Sequence, residues 1–367
     1  MKYYIIAGEA SGDLYGSRLI DEIKLIDQEA NIRFWGGDKM IQSGGVNVKH
    51  IKELAFMGFY EVLKNIFTIW KNIEFCKKDI NEFCPDRIIY IDYPGFNLVI
   101  SKWAKKNGFK NYYYISPQIW AWKESRIKTI KNSIDKLYVI FPFEKEYYKY
   151  KHKMESTYYG HPLIEQVDNF KPNNKFFKNN NISQERDIIA FLPGSRTQEI
   201  KSMLPIFLTL KKHFSKYEFV IAGVKNVDKS LYKIAEEMSV RVVYNQTYDL
   251  LTNSKAAIVT SGTASLECAL FKVPQIVCYK TSFISYLIGR TFVKIDFISL
   301  VNIILKQKVV QELIQNQLTE KELINEFNEI INGQKRLEML KHYSKIYSML
   351  SLDKTSNNIA NSIIKSK

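Results

Sequence analysis

Apolar positions along the chain fall into two alternating rhythms, short unbroken runs and longer stretches of helical period. The runs Tyr3–Ala7, Ile32–Trp35, Arg87–Ile91, Tyr112–Ile115 and Lys136–Ile140 read as strands. Helices are expected from Asp13 to about Ile26, through 60–83, and from Asn97 to Lys106. Alternating strands and helices imply right-handed crossovers and a parallel sheet, so this half reads as doubly wound. The rhythm halts at Phe170–Glu185, an asparagine-rich polar stretch, and then restarts. Strands are expected at Ile188–Leu192, Phe219–Ala222, Val240–Tyr244, Ala256–Val259 and Gln275–Tyr279. Helices are expected at Ile200–Phe214, Lys229–Met238, near Asp249 and after Ser265. From Glu312 onward the pattern is helical, amphipathic and lysine-rich, with no further strand. The chain is therefore α/β, with one domain over 1–170, a second over 171–335, a boundary near 165–185, and a helical tail over 336–367 that can pack back across both.

A length of 367 residues suits two domains of ordinary size, and 46% hydrophobic with 25% charged residues is globular usage. The net charge of +15 changes the picture more. It favours anionic partners, whether nucleic acid, anionic lipid or phosphorylated substrates; AT-rich coding bias accounts equally well for much of the lysine. The cations are dispersed and no nucleic-acid-binding module appears, so no nucleic-acid partner is expected. No run approaches the roughly 18 apolar residues that span a bilayer, and the N-terminus lacks a cleavage-site pattern, which points to the cytoplasm. Cys76, Cys84, Cys268 and Cys278 have neither zinc nor redox spacing and are expected to be reduced and mostly buried.

Three strand-to-helix turns carry candidate chemistry. Gly8-Glu9-Ala10-Ser11-Gly12-Asp13 lacks both a dinucleotide fingerprint and a P-loop lysine. It leaves the carboxylates Glu9 and Asp13 at a sheet's C-terminal edge, where α/β sheets bind ligands; Ser11 or Asp13 capping the helix is the plainer alternative. Pro193-Gly194-Ser195-Arg196 is a phosphate-type turn whose arginine can grip phosphate oxygens in bidentate fashion. Thr260-Ser261-Gly262-Thr263-Ala264-Ser265 offers hydroxyls and helix-terminal amides to a diphosphate, with Glu267 placed for ribose hydroxyls.

Asp92 closes the run Arg87–Ile91, where a general base would stand, and burial beside Pro94 and Phe96 would raise its pKa toward working pH. An Asp-initiated turn is the alternative. Trp120 and Trp122, followed by Lys123 and Arg126, suit a membrane interface or acyl-chain entrance. The stretch Phe56–Trp70, including Met57, is more apolar than one helical face needs; core packing explains both as well. His161, in Gly160-His161-Pro162, either reaches a ligand or simply sits in a turn between domains.

Taken in order, Gly8 to Asp13, Met57-Gly58 with Glu61-Val62-Leu63, Asp92-Tyr93-Pro94-Gly95-Phe96-Asn97, Ser116-Pro117-Gln118-Ile119-Trp120-Ala121-Trp122, Gly160-His161-Pro162, Leu192 to Arg196, Ser261 to Glu267 and Ile298-Ser299-Leu300-Val301-Asn302 resemble the bacterial lipid-A-disaccharide synthases, from residue 3 to about 325. The resemblance implies a GT-B fold, two Rossmann-like domains with parallel sheets facing a cleft. It implies inverting transfer of 2,3-diacylglucosamine from its UDP derivative to the 6-hydroxyl of 2,3-diacylglucosamine 1-phosphate, with UDP released and no metal or cofactor bound. Asp92 then matches the base and Arg196 an arginine needed for activity. Gly194, Ser195, Ser261, Gly262, Thr263, Glu267 and Asn302 fall on the UDP side; Glu9, Ser11, Asp13, Met57, Trp120, Trp122 and His161 fall on the acceptor and lipid side. Tyr93 and Gly95 replace an alanine and a second aspartate of many members, which leaves Asp92 without a paired carboxylate, and Val301 replaces a proline. The acylated substrates imply a peripheral enzyme on the inner face of the inner membrane, drawn to anionic lipid, with a homodimer among the partners considered. A non-hydrolysing UDP-N-acetylglucosamine 2-epimerase of the same fold is the alternative reading.

Overall fold

The computed structural model describes residues 1–54, 66–225, 227–282 and 295–366. They form two compact units, Met1–Pro162 with Leu352–Lys367, and Leu163–Ser351. The exchange at Pro162 precedes the polar stretch at Phe170–Glu185, which lies inside the second unit. Phe176 and Ile182 explain this, because both are buried in that unit's core with Ile188 and Val220.

In the first unit, β1 (Lys2–Ala7), β2 (Asn31–Gly36), β3 (Val46–His50), β4 (Arg87–Ile91), β5 (Asn111–Tyr114), β6 (Lys136–Val139) and β7 (Thr157–Tyr158) form one sheet in the order 3-2-1-4-5-6-7. Every pairing is parallel. Strands covered on both faces read as unbroken apolar runs, and Tyr3 to Ala7 are wholly buried. Tyrosines fill this core because their hydroxyls find partners: Tyr4 Oη accepts from Trp35 Nε1 at 2.8 Å and Tyr90 Oη donates to Asn111 Oδ1 at 2.9 Å. The edge strand β3 was not expected, since Val-Asn-Val-Lys-His carries little apolar signal, and the two-residue β7 carries less.

The second unit holds β8 (Ile188–Leu192), β9 (Glu218–Gly223), β10 (Arg241–Tyr244), β11 (Ser254–Thr260), β12 (Gln275–Tyr279) and β13 (Gln311–Ile314), all parallel, in the order 10-9-8-11-12-13. Strand β13 overturns the expectation of an unbroken helical pattern from Glu312. Pairing with β12 captures four residues whose central Glu312 finds buried partners. The helix expected over Ile200–Phe214 is two helices, Thr197–Phe207, which carries Pro205 inside it, and Thr209–His213, with a turn at Leu208 between them.

The tail is divided between the units. Gln334–Leu350 stays with the second, where Tyr343 meets Gln275. Thr355–Ile364 belongs to the first and packs on the helix Ala10–Ile26, with Asn357 donating to Glu22 at 2.6 Å and Ser362 meeting the Tyr138 hydroxyl at 3.0 Å. Cys76, Cys268 and Cys278 are buried free thiols, and Cys84 is exposed just past the end of the helix Ile66–Phe83. No described helix is long and apolar enough to cross a membrane.

Candidate active site

Both sheets reverse strand order at one point, β1 beside β4 and β8 beside β11, and open α/β sheets bind ligands outside the carboxyl ends of such strands. In the first unit Ala7 pairs Ile91, which sets Gly8 next to Asp92. Gly8 must lack a side chain, because a Cβ there would stand 2.3 Å from the Tyr93 ring. Asp92 and Tyr93 both hold left-handed backbone, φ 46° and 47°, a conformation that costs a non-glycine residue about 1–3 kcal/mol and persists where the surroundings enforce it. They do so here. The Asp92 carbonyl accepts from Tyr113 Oη at 2.6 Å and Asn97 Nδ2 at 2.8 Å, which holds the backbone of the turn at the start of the helix Pro94–Lys106.

Burial pushes the Asp92 carboxyl up to about 6, and the negative charge of Glu9 adds to the rise; the Tyr93 amide and the Arg126 guanidinium oppose it. Tyr93 and Gly95 leave no second carboxylate in the turn itself. Glu9 supplies the like charge from the neighbouring strand end. Arg126 is half-buried, and its guanidinium lies 5.7 Å from the centre of the Trp122 ring. The sequence flagged it only as a cation following the tryptophans.

The remaining acceptor-side residues divide. Asp13 is buried and its carboxylate accepts from the amides of Gly37, Met40 and Lys39 at 2.7, 3.0 and 3.1 Å. It caps the helix Asp38–Ser43, a structural role that replaces the expected one. Nor does Asp13 or Ser11 cap its own helix. That position falls to Glu9, whose side chain makes no capping bond, and Ser11 is partly exposed in the first turn. His161 is buried against Phe141 with ring centres 5.2 Å apart, and burial drives its pKa down to about 3, so it stays neutral and inside. Trp120 donates to Glu144 Oε1 at 3.0 Å and packs edge-on against Phe143, while Trp122 is 43% exposed beneath Lys123. Glu144, which the sequence reading passed over, is wholly buried; burial raises its pKa to about 7 against the pull of the Phe141 amide, Trp120 and the Ile140 amide. Met57 lies outside the described residues.

In the second unit Leu192 pairs Val259, so the Pro193 and Ser261 turns leave the sheet side by side. They are not equivalent. Gly194 has φ +109°, and a Cβ there would stand 2.5 Å from Glu199 Oε2. That oxygen accepts from the Ser195 and Arg196 amides at 2.9 and 3.2 Å. The Ser195 and Arg196 amides already hold Glu199 and are not open to a phosphate. Arg196 is exposed, its guanidinium 3.8 Å from Glu199. The helix Thr263–Leu270, by contrast, starts at Gly262 with no side-chain cap, and Gly262 has open space where a Cβ would point. Its first-turn amides and dipole suit an anion.

Around that helix Ser261 Oγ donates to the Ile298 carbonyl at 2.8 Å, Ser265 Oγ donates to the Gly262 carbonyl at 2.8 Å, and Glu267 accepts from Tyr248 Oη at 2.9 Å. Asn302 is fully buried and its amide is saturated: Oδ1 accepts from Val309 and Val310, and Nδ2 donates to Val310 and Glu312. It supports the loop and leaves no atom for a ligand, which corrects its expected place among direct UDP contacts. Glu312 was missed because its segment read as helix. Among the described residues no group of His, Cys, Asp and Glu is arranged to hold a metal ion.

Residues 3–366 match the lipid-A-disaccharide synthetase family. The chain belongs to that family. Curated relatives named lipid-A-disaccharide synthase include one from Syntrophus aciditrophicus, 35% identical over 92% of this chain and 90% of that protein. Another, from Legionella pneumophila, is 36% identical over 95% and 92%. Solved structures share the fold at low identity. The UDP-GlcNAc 2-epimerase of Neisseria meningitidis bound to UDP-GlcNAc superposes with a TM-score of 0.69 at 13% identity over both whole chains. The kitacinnamycin glycotransferase gives 0.66 at 11% identity over 99% of this chain and 98% of that one. As a member of the lipid-A-disaccharide synthetase family, the chain is a GT-B glycosyltransferase.

Proposed function

We propose that the chain moves 2,3-diacylglucosamine from its UDP derivative to the 6-hydroxyl of 2,3-diacylglucosamine 1-phosphate, inverting the anomeric centre. The observation that carries this reading is Asp92, held in a strained turn at the strand-order reversal with its pKa raised to about 6. A base in that range is largely ionised at neutral pH, yet more basic than an ordinary aspartate. It takes the proton of the 6-hydroxyl as that oxygen bonds to C1. The C1–O bond to the diphosphate breaks at the same time, and its electron pair leaves with UDP. The amides at the start of Thr263–Leu270 and the Arg196 guanidinium would receive the departing charge. Relatives named for this synthase activity support the substrates, and structural neighbours bound to UDP-GlcNAc support a nucleotide sugar as ligand.

Acylated substrates imply work at a lipid surface, the inner face of the inner membrane. Trp122 with Lys123 and Arg126, and the exposed Phe67 and Trp70, are the side chains that would meet it. The deciding assay is UDP release with both acylated sugars present and with each omitted. Release that needs both is expected. Turnover of UDP-N-acetylglucosamine alone would replace this reading with the epimerase.

A further inference from the structure

Glu312 sits on β13 opposite Val277 of β12, 9% exposed, and its carboxylate is fully engaged. Oε2 accepts from the Ile298 amide at 3.0 Å, and Oε1 accepts from the Ser299 amide at 2.9 Å and from Asn302 Nδ2 at 2.8 Å. A buried carboxylate is tolerated only when satisfied in this way. The Ser299 N–H is one end of a peptide group whose other end is the Ile298 carbonyl, and that carbonyl accepts from Ser261 Oγ at 2.8 Å. A carboxylate pulling on the N–H polarises the group and makes its carbonyl the better acceptor. Ser261 has one hydroxyl hydrogen. With that hydrogen on Ile298, only the oxygen lone pairs face outward. Asn302 holds Val309 and Val310, the residues that lead into Glu312, and so fixes the carboxylate from behind.

Resting on the UDP-sugar reading above, we propose that Glu312 is a positioning residue of the nucleotide side. Through the Ile298–Ser299 peptide it holds Ser261 so that its hydroxyl meets UDP as a hydrogen-bond acceptor. Ser261 then takes a hydroxyl or N–H of the nucleoside, and the diphosphate oxygens fall to the helix amides and Arg196. This reassigns a residue whose place in the loop pointed to phosphate.

The test is UDP titration calorimetry on the full chain, with thermal melting in parallel, for wild type, Glu312→Gln, Ser261→Ala and the double variant. Each single change is expected to weaken UDP about tenfold, and the double variant by no more, because both remove one contact. The KM for the UDP-sugar should rise with kcat little changed. A merely structural Glu312 would lower the melting temperature without coupling to Ser261, so about hundredfold weakening in the double variant overturns the proposal. Wild-type affinity in Glu312→Gln overturns it too. Should that variant fail to fold, Glu312→Asp keeps the charge, shortens the reach and is expected to show the same loss. A wild-type chain that binds no UDP overturns the UDP reading itself, which separates the two failures.

Discussion

Asp92 shows how far one residue can be argued from its neighbours. Its carboxyl stands at about 6 against an ordinary 3.8, chiefly through burial, so kcat/KM is expected to climb with pH through about 6 and level above it. Glu9→Gln removes a like charge and should move that limb toward acid, whereas Arg126→Gln removes an opposing one and should move it the other way. Asp92→Asn should lower kcat by about a thousandfold, within the usual range for loss of a general base, and leave UDP affinity unchanged. The raised pKa also bears on stability. The folded state favours the protonated acid, so this group's contribution is present below about 4 and lost as pH rises through about 6. Asp92→Asn should therefore melt higher than wild type at pH 7 to 8 despite its loss of turnover. Full activity in Asp92→Asn, or a pH limb that Glu9→Gln does not move, would remove Asp92 from the chemistry. The place of Asp92 at a strand end was legible in the sequence, because a run of apolar residues ending in Asp-Tyr-Pro-Gly announces it. The influence of Glu9 was not. The two meet only through the register of β1 on β4, which no local pattern encodes.

Elements rather than single residues explain where the candidate site was misread. Two small-residue turns looked alike in sequence, yet one is closed by Glu199 from its own helix and the other is open. The difference lies in a side chain four residues downstream of Ser195, which occupies the space where a Cβ on Gly194 would stand. Asp13 was misread for a related reason. It lies beside Glu9 in sequence, but the helix turns its carboxylate toward the end of β2, where it binds three amides of another helix start. Asp13→Ala leaves those buried donors unpaired and is expected to cost about 1–3 kcal/mol of stability, read as a lower denaturation midpoint. KM and kcat of the folded fraction should stay within about twofold of wild type, since a change of that size is under 0.5 kcal/mol. A large fall in kcat with unchanged stability would return Asp13 to the acceptor site. The central strands of both sheets were legible, being buried on both faces. Strand β13 was not, because four residues with a central glutamate give no apolar run and depend on the partners that bury Glu312.

At the scale of the molecule, the two doubly wound halves were legible from the alternation alone, and the division of the tail was not. Thr355–Ile364 returns to the first unit because its buried face, Ile359, Ala360 and Ile363, completes the packing of the helix Ala10–Ile26. Charge and exposed apolar surface are also properties of the whole. The chain carries 53 basic against 38 acidic residues. Phe67 and Trp70, one turn apart on the helix Ile66–Phe83, are 79% and 61% exposed. Large apolar side chains left in water at such spacing point to a partner surface. An anionic bilayer answers both features, because each cation near it gains about 1 kcal/mol and the attraction decays within a Debye length. Sedimentation with phosphatidylglycerol vesicles should therefore capture the chain at low salt and release it near 0.5 M, where the Debye length falls to roughly 4 Å. Burying a Phe or Trp side chain gains roughly 1.5–3 kcal/mol, so Phe67→Ala with Trp70→Ala should weaken capture by at least about tenfold at fixed salt. Neutral phosphatidylcholine vesicles should capture little, since the apolar contacts act only after charge has brought the surfaces together. Equal capture by neutral and anionic vesicles would exclude the electrostatic step. Salt-sensitive capture that the double alanine variant leaves intact would move the contact away from Phe67 and Trp70, to the Trp122 segment, where Lys123 and Arg126 stand over the ring.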